Sequence, residues 1–320
     1  VKVDVARLYA FGWKVAGKVP GPVLRGAFAV VADLAWLRRT GGVVQLEKNL
    51  ARARPDLDAR TLRRLGRAGM RSYMRYFGEA FTLGSLSSAQ VDARVRGVGL
   101  ENLRPYTESG RSVVLALGHV GNWDLAGAWA TRAIAPVTTV AERLEPEELF
   151  QEFLAFRESI GLTIFPLTGS GDVFRGLVRA ARGGPGLIPL LADRDLTASG
   201  VEADLFGLRA RFAAGPAALA ISTGAPLVTT VISYERLTGA RRKAAGSPWG
   251  IVVDFHEPIP VPTGIPRADQ VRVLTQAWVD ELGAGIRRYP QDWHMLQKLF
   301  VEDLDPERYA AVLERAERPA

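Results

Sequence analysis

The chain has 320 residues, 41 Lys and Arg against 34 Asp and Glu, and a formal net charge of +7. It has no cysteine, which excludes a thiol nucleophile, a disulfide framework and a thiolate metal site, and three scattered histidines, His119, His256 and His294, argue against a histidine metal centre. The 48 % apolar content suffices for a large buried core, and the basic surplus suits anionic lipid or phosphorylated substrates; without a recognition helix or a lysine-rich tail, no nucleic-acid partner is expected.

Taken in order, residues 5–18 and 23–39 read as two apolar helices with basic flanks, a composition suited to a membrane interface or to an ordinary core pair. The start shows no signal-peptide pattern. Helices are expected over 46–54 and 58–78, with Asp58 as a cap and a stripe of Met70, Tyr73, Met74, Tyr76 and Phe77 that suits core or an acyl-pocket wall. A strand is expected over 91–98 and a short helix over 100–106. From residue 113 strands and helices alternate: strands 113–117, 137–140, 162–166 and 186–191, helices 123–134, 146–160 and 172–182, with short Gly/Pro junctions. A loop follows from Asp193. The longest uncharged run, 212–234, is broken by Gly215-Pro216 and Gly224-Ala225-Pro226, so it reads as a core helix and strand, not a membrane span. Another strand (250–256), a long helix (267–289) and a final helix (306–316) complete the chain. The alternation predicts an α/β fold: a mostly parallel central sheet flanked by helices on both faces, preceded by the apolar, basic N-terminal helices. No linker divides it. One domain is expected over 1–320, with N-terminal helices in 1–90, a core in 91–300 and a C-terminal helix in 301–320.

The most informative stretch is Ser112 to Gly127, SVVLALGHVGNWDLAG. A buried strand ends at Gly118, His119 sits at its mouth, Gly121 and Asn122 turn the chain, and a helix opens at Trp123. Open α/β sheets place their chemistry at such strand-to-helix turns. The H-x4-D spacing of His119 and Asp124 suits a loop histidine and a carboxylate in the first helical turn; a carboxylate that fixes the imidazole tautomer leaves the other nitrogen as a general base. The amides of Gly121 and Asn122, at the helix start, suit an oxyanion. There is no G-x-S-x-G elbow, no P-loop and no H-E-x-x-H.

GHVGNWDLAG resembles the H-x4-D/E signature of the bacterial lysophospholipid acyltransferase superfamily, and most closely its lauroyl/myristoyl lipid A biosynthesis branch. Asp124 stands where the lipid A enzymes carry glutamate; aspartate there is similar to the actinobacterial enzymes that acylate phosphatidylinositol mannosides. A second segment, Asp193-Arg194-Asp195 followed by GVEADLFG, resembles the branch's D-x-D and G-V-x-V-x-F-F-G block. Arg157 in RESIGL and His294 in PQDWHM fall in looser matches, the last with Met295 in place of an aromatic, and the whole covers about residues 49–296. The resemblance implies acyl transfer from a long-chain acyl-CoA, palmitoyl by expectation, to a mannose hydroxyl of a membrane glycophospholipid. It implies no cofactor and no metal, and a peripheral location on the cytoplasmic face of the plasma membrane against an anionic surface. His119 would be the base, and Asp124 or Glu202 its partner. Arg157, Arg175 and Arg194, with Asp193, Asp195, His294, Gly121 and Asn122, would contact substrate. Other lipid acceptors and a non-catalytic lipid-binding protein are the competing readings.

Overall fold

A computed structural model describes residues 19–142, 146–167 and 172–317, with side chains to 314; the helix expected over 5–18 lies outside them. Four helices open the described chain: α1 (Gly21–Leu37), α2 (Gly41–Ala53), α3 (Ala59–Leu83) and α4 (Ser88–Arg94). Asp58 caps α3 as expected, accepting a hydrogen bond from the Thr61 amide at 2.7 Å. α2 begins at Gly41, earlier than the expected 46, and a Cβ on Gly42 would meet Leu296 at 3.4 Å. The strand expected over 91–98 is corrected to α4 followed by a short β1 (Val95–Val98). Ser87 and Gln90 form a reciprocal capping box that commits residues 88–94 to helix despite Val91 and Val95.

The expected α/β architecture is present. A short helix α5 (Arg104–Thr107) leads into β2 (Ser112–Leu117), then α6 (Trp123–Ala133), β3 (Val137–Glu142), α7 (Glu147–Ser159), β4 (Leu162–Leu167), α8 (Asp172–Arg182) and β5 (Gly186–Leu191). After a hairpin of β6 (Gly200–Leu205) and β7 (Leu208–Ala213) come α9 (Gly215–Thr223), β8 (Leu227–Arg236), α10 (Gly239–Ala245), β9 (Trp249–Ile259), α11 (Arg267–Arg288) and α12 (Pro306–Glu317). The main sheet has seven strands in the order β1-β9-β8-β2-β5-β3-β4, and only the β8–β9 pair is antiparallel. All of β2 is buried, which its uninterrupted apolar run demands of a central parallel strand. α6 packs over one sheet face, α8 and α9 with α11 over the other. The uncharged run 212–234 resolves into α9 and β8, both core; no helix among the described residues is long and apolar enough to cross a membrane.

The loop expected after Asp193 is corrected as well. It contains the β6–β7 hairpin, whose two-residue turn is Phe206-Gly207, with φ of 60° and 83°. Paired left-handed residues make a tight hairpin turn, but such turns are ordinarily marked by Asn-Gly or Asp-Gly. A phenylalanine in that position hides the hairpin from a reading of turn residues.

The link between β2 and α6 depends on Gly121, which adopts φ +63°. A Cβ there would lie 2.7 Å from the Ile232 carbonyl oxygen and 2.6 Å from its Cγ2. Gly121→Ala combines left-handed strain with a backbone clash, so it should cost about 2–4 kcal/mol, read as a lower urea midpoint at unchanged slope.

Candidate active site

β2 and β5 run parallel with Leu117 opposite Leu191. Two residues beyond each strand end stand His119 and Asp193, so the register that aligns the strands also aligns the two side chains. His119 Nδ1 lies 2.6 Å from Asp193 Oδ1, and the His119 amide donates to Oδ2 at 2.9 Å. Trp293 Nε1 donates to the same oxygen at 3.2 Å. Gly118 clears the way, since a Cβ there would meet Asp193 Oδ2 at 3.0 Å. Asp193 is buried, whereas the His119 side chain is 40 % exposed. A carboxylate accepting at Nδ1 places the proton there and leaves Nε2 as the basic nitrogen. Burial opposes charge on His119, but the Asp193 charge and hydrogen bond outweigh it, and the imidazole pKa is raised above its ordinary 6.5. Burial likewise opposes charge on Asp193, yet the imidazole and its hydrogen bonds lower the carboxyl pKa.

The expectation that Asp124 or Glu202 holds the imidazole is therefore corrected. Asp124 is buried at the start of α6, where it accepts from Tyr76 Oη at 2.7 Å and from Arg157 Nε at 2.9 Å. The H-x4-D spacing puts its side chain into α6's own packing, against α3 and α7, and it makes no bond to the imidazole. Arg157 is thus an ion-pair partner within the protein, with its pKa raised by that carboxylate although burial opposes it. Glu202, on β6, is bound to Arg209 and Tyr309 and lies 3.9 Å from Arg211, so the hairpin takes it away from His119.

The remaining expected residues divide similarly. Asn122 caps α6 through the Leu125 amide at 2.9 Å and donates to Glu79 Oε2 at 2.8 Å; its side chain is buried and turned from the opening. The Gly121 amide donates to the Asp292 carbonyl at 2.9 Å, which removes it as an oxyanion donor. Arg194 donates to the Lys298 carbonyl at 3.0 Å, while Asp195 folds back to accept from the Thr197 amide at 2.8 Å. Arg175 is exposed on α8 and paired with Asp172, away from this cluster. His294 is buried beneath the loop: its amide donates to the His119 carbonyl at 2.8 Å, and its Nε2 lies 3.1 Å from Ser72 Oγ. Ser72 gives its one proton to Asp292 at 2.7 Å, so Nε2 of His294 must be the donor. Burial lowers this imidazole's pKa to about 3, with the Arg75 charge adding to the effect. His294 is a neutral support of the His119 backbone.

Of the residues that build this support, Tyr76 reads in the sequence only as part of the apolar stripe, and Ser72 and Glu79 are not singled out. Ser72, Tyr76 and Glu79 lie on one face of α3, four and three residues apart, and reach Asp292 and His294, Asp124, and Asn122 respectively. Polar residues at helical spacing inside an apolar stripe were the available signal. For Asp193 the signal was parallel phrasing: LALGH and PLLAD each end an apolar strand with a polar group two residues on.

An apolar cavity lies between the sheet and α6, lined by Leu115 and Leu117 of β2, Leu187 and Leu191 of β5, and Ala126 and Ala130 of α6. Small residues on α6 leave this space open over the strands. Trp123 and the Asp124–Arg157 pair border it. Tyr76, from the stripe that suited core or an acyl-pocket wall, packs as core, 4.1 Å between ring centroids from Trp123.

The geometry can be set beside known proteins. The chain is 40 % identical over 304 residues to a protein of Mycolicibacterium smegmatis named phosphatidylinositol mannoside acyltransferase, covering 94 % of this chain and 93 % of that one. A protein of the same name from Mycobacterium tuberculosis is 37 % identical over 310 residues, covering 96 % and 92 %. Among solved structures, the 1-acyl-sn-glycerophosphate (LPA) acyltransferase PlsC from Thermotoga maritima aligns over 82 % of this chain and 94 % of that one, at 14 % identity and a TM-score of 0.36. The sequence model for bacterial lipid A biosynthesis acyltransferases matches residues 3–302, beyond the 49–296 that the motifs suggested. With a family match over nearly its whole length and relatives at 37–40 % identity, the chain belongs to the bacterial lipid A biosynthesis acyltransferase family.

Proposed function

We propose that the protein transfers a long-chain acyl group from acyl-CoA to a mannose hydroxyl of a phosphatidylinositol mannoside, with His119 as general base. The observation that supports this reading most is the Asp193–Nδ1 contact, which leaves Nε2 basic on a half-exposed side chain. The names of the relatives support the acceptor. In this reading Nε2 takes the acceptor's hydroxyl proton as the oxygen bonds to the thioester carbonyl carbon. Asp193 stabilises the imidazolium, whose proton then passes to the departing thiolate, returning His119 to its starting state. The cavity beside α6 takes the acyl chain, palmitoyl in this reading, and no cofactor is required. Lysophospholipids and lipid A-like sugars are the nearest alternative acceptors.

The exposed face of α1 supports a peripheral place on the cytoplasmic face of the plasma membrane. Val23, Val30 and Leu37 are each more than half exposed, with Val31 and Leu34 beside them, while Arg38 and Arg39 follow the helix. Burying two such side chains in lipid is worth about 3–6 kcal/mol. Val30→Glu/Leu34→Glu should therefore abolish most co-sedimentation with anionic vesicles; unchanged sedimentation would place the contact elsewhere.

The reading is tested with palmitoyl-CoA and purified protein, following free thiol and acylated lipid with and without a mannosylated phosphatidylinositol. Thiol release that needs the mannoside and yields its acylated form supports it. Release driven by a lysophospholipid alone would reassign the acceptor, and lipid binding without release would remove the enzyme reading. His119→Ala should lower the rate about 10²–10⁴-fold with the fold intact by circular dichroism. Because the base must be unprotonated and its pKa is raised, kcat/KM should fall with decreasing pH through a midpoint above 6.5. Asp193→Asn removes the charge that raises it, so the residual activity should show that midpoint at lower pH. An unmoved midpoint would mean that another group titrates.

A further inference from the structure

Trp123 is the first residue of α6, and it touches both halves of the site. Its ring meets the His119 imidazole in a T-shaped contact, with centroids 5.4 Å apart and planes at 83°. The same side chain lines the apolar cavity beneath α6. Its indole Nε1 is buried and has no hydrogen-bond partner among the described residues. An indole nitrogen can only donate, and buried donors are nearly always paired, because an unmade bond costs the full desolvation of the group. Other indoles here follow that rule: Trp36 Nε1 donates to the Arg63 carbonyl at 3.2 Å, and Trp293 Nε1 to Asp193 at the same distance. Trp278 Nε1 is unpaired too, but that ring is wholly buried in the core against Phe212 and is not part of the cavity wall.

The groups around Trp123 leave it as the donor at the junction of imidazole and cavity. Tyr76 Oη and Arg157 Nε are committed to Asp124, the Asn122 side chain to the Leu125 amide and Glu79, and the Gly121 amide to the Asp292 carbonyl. His294 Nδ1 is unpaired, on a ring 6.2 Å from that of Trp123. With its proton on Nε2, however, that atom is an acceptor and binds no carbonyl oxygen. Thr230 Oγ1, on β8, is the other unpaired donor on the cavity wall. We propose that the Trp123 indole N–H binds the carbonyl oxygen of the acyl thioester, which makes Trp123 a catalytic residue. This rests on the acyltransfer reading: a chain lying in the cavity with its carbonyl carbon at His119 Nε2 passes the Trp123 ring. As the acceptor oxygen bonds to that carbon, the C=O π pair moves onto the carbonyl oxygen, and the hydrogen bond from the indole strengthens. When the C–S bond breaks, the pair returns to the carbonyl and the thiolate leaves with the sulfur electrons, taking the imidazolium proton. The indole keeps its own proton throughout.

The test separates the carbonyl from the rest of the ligand. Palmitoyl-CoA carries it, whereas the hexadecyl thioether of coenzyme A has a chain of the same length and lacks it. Both are bound below their micellar concentrations to the full chain in a His119→Ala background, which leaves the thioester intact, and read by calorimetry. With Trp123 present, the thioester should bind about 3–10-fold more tightly than the thioether, the effect of one neutral hydrogen bond. Trp123→Phe, with a melting curve to verify folding, should bring the two affinities together. A ring that serves packing alone would weaken both ligands alike and leave the preference in place. With His119 restored, Trp123→Phe should lower kcat about 10²–10³-fold, as loss of an oxyanion donor does, with a smaller change in KM for palmitoyl-CoA. No preference with Trp123 present overturns the proposal, even where the Phe variant does not fold. So does a preference that survives Trp123→Phe, one erased by Thr230→Val alone, or an unchanged kcat. If the protein with His119 releases no thiol with any acceptor, the acyltransfer reading falls, while the preference and its loss still assign the N–H to the carbonyl. Turnover without the preference does the reverse.

Discussion

The parallel pairing of β2 with β5 is the constraint on which the rest of the site depends. Because Leu117 faces Leu191, the next residues leave the sheet together, and His119 meets Asp193 without any long connecting loop having to find its place. The carboxylate is fixed three times, by the imidazole, by the His119 amide and by Trp293. Its burial would be unfavourable alone; paired in this way it stays ionised and sets the tautomer of its neighbour.

Around this pair the structure spends its polar residues on holding a loop still. Asp124, the conspicuous acid of the H-x4-D spacing, joins α6 to α3 and α7 through Tyr76 and Arg157. Asn122 joins α6 to Glu79, and Asp292 accepts from Ser72, the Tyr234 amide and, by its carbonyl, the Gly121 amide. A short spacing between two chemically suggestive residues need not mean that they touch. On a strand–turn–helix connection, the fifth residue after the histidine enters the helix, and its side chain follows the helix surface instead of the loop mouth.

Much of the fold was legible because burial leaves a plain mark. The apolar runs of β2, β5 and β8 and the acidic start of α7 gave the strand–helix alternation, and the Gly/Pro punctuation gave the junctions. The histidine at the end of β2 was legible for the same reason. What escaped was set by contacts distant in sequence or by atypical turns. Glu202 looked functional from its neighbours, but its direction was decided by a hairpin turning on Phe206, which no turn residue advertised. Tyr76 read as one more member of a core stripe, and Ser72 and Glu79 were not singled out, because the partners of all three lie some 43–222 positions away.

The distance in sequence between the site's residues has a bearing on biosynthesis. His119 needs Asp193 from 74 residues downstream, and Asp193 is itself held by Trp293, a further 100 residues on. The central strand β2 likewise acquires β5 and then β8 as neighbours only after long stretches have been added. A ribosome-bound chain can form α1 to α4 early from local contacts, but it cannot bring His119, Asp193 and Trp293 together until the chain through Trp293 has emerged. The arrangement of the sequence thus delays assembly of the His119–Asp193–Trp293 cluster until well after α1 to α4 have left the tunnel.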